Sequence, residues 1–168
     1  PNWQMGIIYV LVSLFLAATA VFFAIVILED MGRIRLIFRG YVLAALATTM
    51  LGLIGYFNAL PGFEMFTRYS RAMGAFQDPN VYGPFLVAPC LYLIYGIVYR
   101  SPTLAPARAA MLMVLLLGLF LAFSRAAWGL FVLSAAMFYF LLIVNERSAR
   151  VRLKLIVIAV AGVVAVML

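Results

Sequence analysis

The 168-residue sequence is 68% hydrophobic and only 10% charged, whereas soluble domains are near half apolar and a quarter charged. A chain this apolar cannot cover a core with water-compatible side chains, so lipid must be its solvent. The net charge of +7 does not indicate nucleic acid, because the cytoplasmic loops of membrane proteins collect Lys and Arg. The sequence has no histidine, the commonest metal ligand and usual general base, and we expect no metal site and no cofactor.

Apolar runs of membrane-spanning length follow one another along the chain, at about 5–28, 40–60, 81–99, 109–144 and from 155 to 168. One helix over 109–144 would be about 54 Å long, against a hydrocarbon core of about 30 Å. We therefore predict two helices there, turning at Ser124-Arg125. The fold class is all-α, a polytopic transmembrane helix bundle of about six spans. We expect a single transmembrane domain over 1–168, an internal fragment of a longer chain.

The loops between six spans fall into two sets of unequal charge. One set holds nine basic residues: Arg33, Arg35, Arg39, Arg100, Arg108, Arg147, Arg150, Arg152 and Lys154. The other holds three: Arg68, Arg71 and Arg125. The positive-inside rule places the first set in the cytoplasm and the second outside. Aromatic residues then occur at both predicted interfaces: Trp3, Tyr56, Tyr82 and Trp128 outside, and Tyr41, Tyr95 and Tyr99 inside.

The segment 61–80 between the second and third spans carries two of the outward arginines. Its apolar residues recur at spacings of three and four: Phe63, Phe66, Tyr69, Met73 and Phe76. That spacing predicts a short helix near 62–76, lying in the outer interface with its apolar side down. Arg68 and Arg71 would then be neighbours one turn apart on the polar face.

Two neighbouring arginines are well suited to an anion, because guanidinium groups bind phosphate oxygens bidentately. Arg68 and Arg71 are equally compatible with lipid headgroups or with an ion pair to Glu64, a kind of exposed pair that is common. Arg125 lies at a turn between spans. Its side chain either faces a cavity or a partner, or extends to the membrane interface from a helix end, as a snorkelling arginine does. Asp78, before Pro79 and Asn80, is typical of a turn that caps the third span. Glu64 and Asp78 are the two outward carboxylates and hence candidate general bases.

Two short motifs resemble the bacterial O-antigen ligase and O-antigen polymerase superfamily of polytopic membrane glycosyltransferases. The first is the string from Arg71 to Gly83, with Gly74 three residues after the arginine and a Pro79-Asn80 pair that opens a helix. The second is the string from Phe123 to Trp128, which contains the Ser124-Arg125 turn and follows one helical hairpin later. The similarity covers roughly residues 68–154, and the order, spacing and outward placement of the motifs agree with it.

The resemblance implies an inverting, metal-independent glycosyltransferase of the bacterial inner membrane. Such a protein takes glycan from an undecaprenyl diphosphate carrier on the periplasmic side and passes it to lipid A-core or to a growing polysaccharide. By the same resemblance Arg71, Arg125 and Arg68 bind the diphosphate, while Gly74, Pro79, Asn80 and Ser124 form the motif backbone. Membrane lipids are the other expected partners.

The sequence departs from this family in two respects. Family members carry a large periplasmic loop further along, with a functional histidine in the ligases, and this chain has neither. We therefore expect the chain by itself to be inactive, an expectation that glycan transfer by this chain alone would contradict. A transporter or flippase-like protein, which would also keep arginines near kinked helices, and a non-catalytic lipid-binding membrane subunit are the alternatives.

Overall fold

The computed structural model describes residues 3–146 and 152–153. The sixth predicted span, 155–168, lies outside the described residues. The chain divides into two compact units, Pro1–Leu43 and Ala44–Leu168.

The described residues contain five helices that are long and apolar enough to cross a membrane. They are α1 (Trp3–Glu29), α2 (Arg33–Tyr56), α3 (Pro79–Tyr99), α4 (Ala105–Leu121) and α5 (Arg125–Asn145). The predicted helical membrane architecture is confirmed, including the division of the 109–144 stretch at Ser124-Arg125. α2 begins at Arg33, seven residues before the predicted apolar run. The predicted run begins late because Arg35 and Arg39 are basic, whereas the helix continues through both residues.

The first unit holds α1 and the beginning of α2, joined by a tight turn. The Asp30 carbonyl accepts the Arg33 N–H at 3.0 Å, and the Arg33 guanidinium pairs with Glu29 across the turn. Almost every side chain of α1 is exposed and apolar. In water such a helix would be unstable, whereas lipid solvates it and its backbone groups are bonded within the helix.

The core of the second unit forms where α3 packs against α4 and α5. Leu86, Cys90 and Leu115 are fully buried there. Close approach depends on Gly83 of α3, since a methyl group at that position would lie 2.7 Å from the Cβ of Ala127 in α5. Small residues permit this kind of packing in membranes, where helices gain no hydrophobic driving force against one another.

A hydrogen bond between two buried polar side chains joins α2 to α3 within the second unit. The Tyr82 hydroxyl donates to Thr49 Oγ1 at 3.0 Å, and both side chains are fully buried. Tyr82 therefore packs in the bundle core and does not belong to the aromatic belt predicted for the outer interface. One cause is the Tyr82 hydroxyl, which has a hydrogen-bond partner inside the protein. The other is Gly118, which leaves room for this hydroxyl, because a Cβ at Gly118 would lie 2.4 Å from the hydroxyl oxygen.

The helix predicted near 62–76 is absent, and this prediction was wrong. The segment forms a single 3-10 turn, Phe63–Phe66, followed by a hairpin of two short strands, β1 (Thr67–Arg68) and β2 (Arg71–Ala72). Tyr69 and Ser70 close the hairpin with φ of 53° and 56°, as in the two-residue turns that match strand twist. Packing on α2 outweighs the helical spacing of the aromatic residues.

Candidate functional site

The hairpin is attached to α2 through a glycine that approaches the helix backbone. Gly74 has φ +56°, and a Cβ there would lie 2.3 Å from Thr48 Oγ1 and 2.5 Å from the Thr48 carbonyl oxygen. The same hydroxyl accepts the Ala75 N–H at 2.7 Å. The Phe66 carbonyl accepts the N–H groups of Met73 and Gly74, both at 3.1 Å. The strand that carries Arg71 is thereby fixed on the bundle.

Arg68 and Arg71 are directly opposite each other across the two-residue turn. The prediction that they are neighbours is confirmed, although by strand pairing and not by a helical turn. Like charges at opposed positions destabilise a strand pair, so the hairpin holds two guanidinium groups together at a cost. Arg68 is exposed, donates to the Gln77 carbonyl at 3.1 Å, and lies over the Tyr69 ring at 5.2 Å from its centre.

Arg71 connects the two motif segments. Its Nε donates to the Ala122 carbonyl at 2.7 Å, and its Nη2 donates to Asn80 Oδ1 at 2.9 Å. Asn80 lies in the first turn of α3, and Ala122 is the C-cap of α4, two residues before Ser124. The half-buried guanidinium is therefore oriented by two acceptors from different helices, which leaves the two protons of Nη1 and one of Nη2 for another acceptor.

The turn between α4 and α5 presents Arg125 at the start of a helix. Phe123 has φ 45°, which reverses the chain in three residues. Ser124 is buried, and its Oγ accepts the Ala127 N–H at 3.4 Å as the N-cap of α5. Arg125 follows it as the first helical residue, is exposed, and makes no side-chain hydrogen bond or ion pair within the part of the chain that the structure describes.

The two candidate carboxylates differ in their surroundings. Asp78 caps α3, since its Oδ1 accepts the Asn80 N–H at 2.7 Å, with Pro79 as the next residue. This is the predicted capping turn, and it also sets the position of the Asn80 side chain that bonds Arg71. Glu64 is exposed in the 3-10 turn, and the predicted alternative of an ion pair with Arg68 or Arg71 is not formed.

Within the described residues, neither Glu64 nor Asp78 pairs with Arg68, Arg71 or Arg125. No group of three or more His, Cys, Asp or Glu residues suited to a metal occurs in the described residues. Arg68 and Arg71 are paired on the hairpin, and Arg125 follows by three residues the Ala122 carbonyl that accepts Arg71 Nε; we call these three arginines the arginine site. Its chemistry is that of an anion site, with α5 backbone N–H groups beside Arg125 adding partial positive charge.

Sequence reasoning missed the residues that hold the arginine site in place. The Ala122 carbonyl has no signal in the sequence, because any residue provides one. Thr48 and Thr49 did have a signal, since two adjacent hydroxyl side chains interrupt an apolar span and need internal partners there. Both are buried and bonded, one to the loop that follows the hairpin and one to Tyr82.

Comparison of the chain with protein-family models, with curated proteins and with solved structures found no match.

Proposed function

We propose that this chain is part of a glycan ligase or polymerase of the bacterial inner membrane. It transfers glycan from an undecaprenyl diphosphate carrier to lipid A-core or to a growing polysaccharide on the periplasmic side. The reaction is inverting and needs no metal. The arginine site binds the donor diphosphate.

The observation that carries the proposal is the contact that Arg71, in the first motif, makes with the backbone next to the second. One acceptor, Asn80, belongs to the first motif, and the other, the Ala122 carbonyl, directly precedes the second, 51 residues away from Arg71 in sequence. Segments that resemble a family's donor site thus converge in space. A chance match of two short strings gives no reason for such convergence.

The chemistry of the site supports the same proposal. When the glycosidic bond to a diphosphate breaks, negative charge grows on the leaving oxygens. Fixed guanidinium groups stabilise that charge without reorganising, which is the largest single contribution in many enzymes. Arg71 is fixed by two hydrogen bonds, and the Arg125 side chain has no partner among the described residues, so one arginine is preorganised and the other is available to bind. Arginines take over the role that a divalent cation has in other transferases of diphosphate-linked sugars.

Complementation by the full-length protein tests the proposal. A host that lacks the gene receives wild type, Arg71→Ala, Arg125→Ala or Arg39→Ala, and surface glycan is scored on a gel with membrane levels checked by immunoblot. Arg39 is the matched control because it is an exposed arginine of α2 that the charge bias predicts in the cytoplasm. We expect long glycan to disappear in the first two variants and to persist in the control. Normal glycan in Arg125→Ala at a normal protein level would overturn the proposal and favour a snorkelling arginine.

A further inference from the structure

Two further arginines meet where α3 ends and α4 begins, at the opposite end of α3 from the arginine site. Tyr92, Gly96 and Arg100 follow one another at intervals of four residues, so they share one face of α3. Arg100 folds back along this face, and its Nη1 donates to the Tyr92 hydroxyl at 3.1 Å. Arg108 reaches the same face from the first turn of α4, since its Nη1 donates to the Gly96 carbonyl at 2.8 Å. The two guanidinium groups therefore belong to one site.

The position of Arg108 is fixed by the packing of α4 on α3. Gly96 is buried, and a Cβ there would lie 3.1 Å from Arg108 Cδ and 3.3 Å from its Nε, so the missing side chain lets the arginine lie against the helix. Arg108 Nη1 also donates to the Ser101 carbonyl at 3.1 Å. Both acceptors are at the C-terminal end of α3, where the helix dipole favours a cation. These bonds use the two Nη1 protons, which leaves Nε and Nη2 for another acceptor.

Arg100 lies among aromatic rings and not in open water. Its guanidinium carbon is 5.0 Å from the centre of the Tyr92 ring and 5.9 Å from that of the Tyr95 ring. The backbone of Tyr92 is about 12 Å back along the helix from that of Arg100. A snorkelling arginine extends away from its span, whereas this side chain turns back toward it. The charge therefore lies at the depth of interfacial aromatic rings, which is the depth of lipid headgroups.

The positive charge of this site has no carboxylate partner. Within residues 3–146 and 152–153, Arg100 and Arg108 bond to a phenol and to backbone carbonyls, and neither forms an ion pair. A phosphate supplies the missing charge, because its oxygens accept from more than one guanidinium group. Tyr95 and Tyr99 lie beside the charge with ring centres 5.0 Å apart and are 42% and 52% exposed. Such rings suit a phosphate that carries hydrocarbon better than a soluble anion.

We infer that Arg100 and Arg108 bind the phosphate of an anionic phospholipid of the surrounding bilayer, with the glycerol and first acyl carbons against Tyr95 and Tyr99. Basic pockets between membrane helices bind anionic headgroups in this way. The charge bias of the loops places the lipid in the cytoplasmic leaflet. The inference is independent of the proposed function, because it concerns a bilayer lipid and not the glycan donor.

The test measures the dissociation constant of phosphatidylglycerol for the full-length protein in nonionic detergent by native mass spectrometry. All proteins carry Arg125→Ala, which removes the exposed cation of the arginine site as a competing binder. Arg100→Gln and Arg108→Gln remove the charge but keep an N–H donor for the same acceptors, so the fold is spared. Arg39→Gln is the matched control, because Arg39 is an exposed arginine that the charge bias predicts on the same side of the membrane.

Arg100→Gln and Arg108→Gln should each raise the dissociation constant about tenfold, the effect of losing one charge-assisted hydrogen bond. Arg39→Gln should leave it within about twofold. Phosphatidylcholine with the same acyl chains should bind about tenfold more weakly than phosphatidylglycerol, since its headgroup has no net charge.

Three results would overturn the inference. An unchanged dissociation constant in Arg100→Gln or Arg108→Gln would remove that arginine from the site. An equal loss in Arg39→Gln, or equal affinities for the two lipids, would show that general surface charge or apolar contact explains the binding. Displacement of phosphatidylglycerol by an equimolar amount of glycerol phosphate would identify a soluble phosphate ester as the ligand in place of a lipid.

Discussion

Gly83→Ala tests the packing that holds the second motif next to the first. A methyl group on Gly83 would lie 2.7 Å from the Ala127 Cβ, with Ser124 and Ala122 Cβ atoms at 3.4 Å and 3.5 Å. Carbon atoms in contact are normally separated by about 3.5–4.0 Å, so α3 and α5 must move apart by roughly 1 Å. Inserting a methyl group into a packed interior costs about 1–3 kcal/mol. We expect that loss in the free energy of unfolding.

The assay is the thermal midpoint of the purified full-length protein in detergent, followed by tryptophan fluorescence. Gly129→Ala is the control, because Gly129 lies within α5, as Gly83 lies within α3, but a Cβ there would have nothing within 4 Å. That substitution should be neutral or stabilise by up to about 1 kcal/mol, since alanine is the better helix residue. Because the shortest contact of the new methyl is with Ala127, Ala127→Gly should suppress the defect of Gly83→Ala.

A double-mutant cycle makes the reasoning refutable. If the steric account holds, the effect of Gly83→Ala is smaller by about 1 kcal/mol or more in the Ala127→Gly background, a coupling typical of residues in contact. Additive effects within about 0.3–0.5 kcal/mol would show that the two positions do not touch, and the packing of α3 on α5 described above would be wrong.

Three further substitutions test other contacts by the same thermal assay. Gly74→Ala should destabilise by about 2 kcal/mol or more, because it adds strain at positive φ to a clash with the Thr48 backbone; a midpoint equal to wild type would contradict the docking of the hairpin on α2. Tyr82→Phe should cost about 0.6–1 kcal/mol, since the Thr49 hydroxyl loses a buried partner, and Thr49→Val should not add to that loss. Ser124→Ala should cost about 0.5 kcal/mol, the low end for a lost N-cap, because the cap bond is long at 3.4 Å; a loss above 2 kcal/mol would require another role for this hydroxyl.

The spans were predictable from the sequence, and the path of the 61–80 segment was not. Hydropathy and helix length fixed the turn at Ser124-Arg125, because no single helix of that length fits a bilayer. The aromatic spacing in 61–80 favoured a helix, but the hairpin depends on two non-glycine residues with positive φ, Tyr69 and Ser70. The residue preferences of Tyr69 and Ser70 do not predict a turn with positive φ. Gly74 was the one visible signal, and its reason, close approach to Thr48, lies 26 residues earlier.

The arginines of the site were predictable as a set, because charged residues are costly next to lipid and rare in so apolar a chain. Their individual surroundings were not. The resemblance implies the same role for Arg71 and Arg125, whereas Arg71 is bonded to two acceptors and Arg125 to none among the described residues. That difference arises from a contact across 51 residues, which local patterns do not encode.

The central claim is that guanidinium geometry, and not positive charge alone, holds a donor diphosphate at the start of α5. Its most direct test is the rate of glycan transfer by the purified full-length protein with Arg125→Lys, using a polyprenyl diphosphate-linked glycan and a metal chelator in the buffer. Lysine keeps the charge but cannot bind the diphosphate bidentately. We predict that wild type stays active in the chelator and that the variant loses about 100-fold in rate, the loss typical when one hydrogen-bond donor to a transition state is removed. A lysine variant within about twofold of wild type would contradict the account.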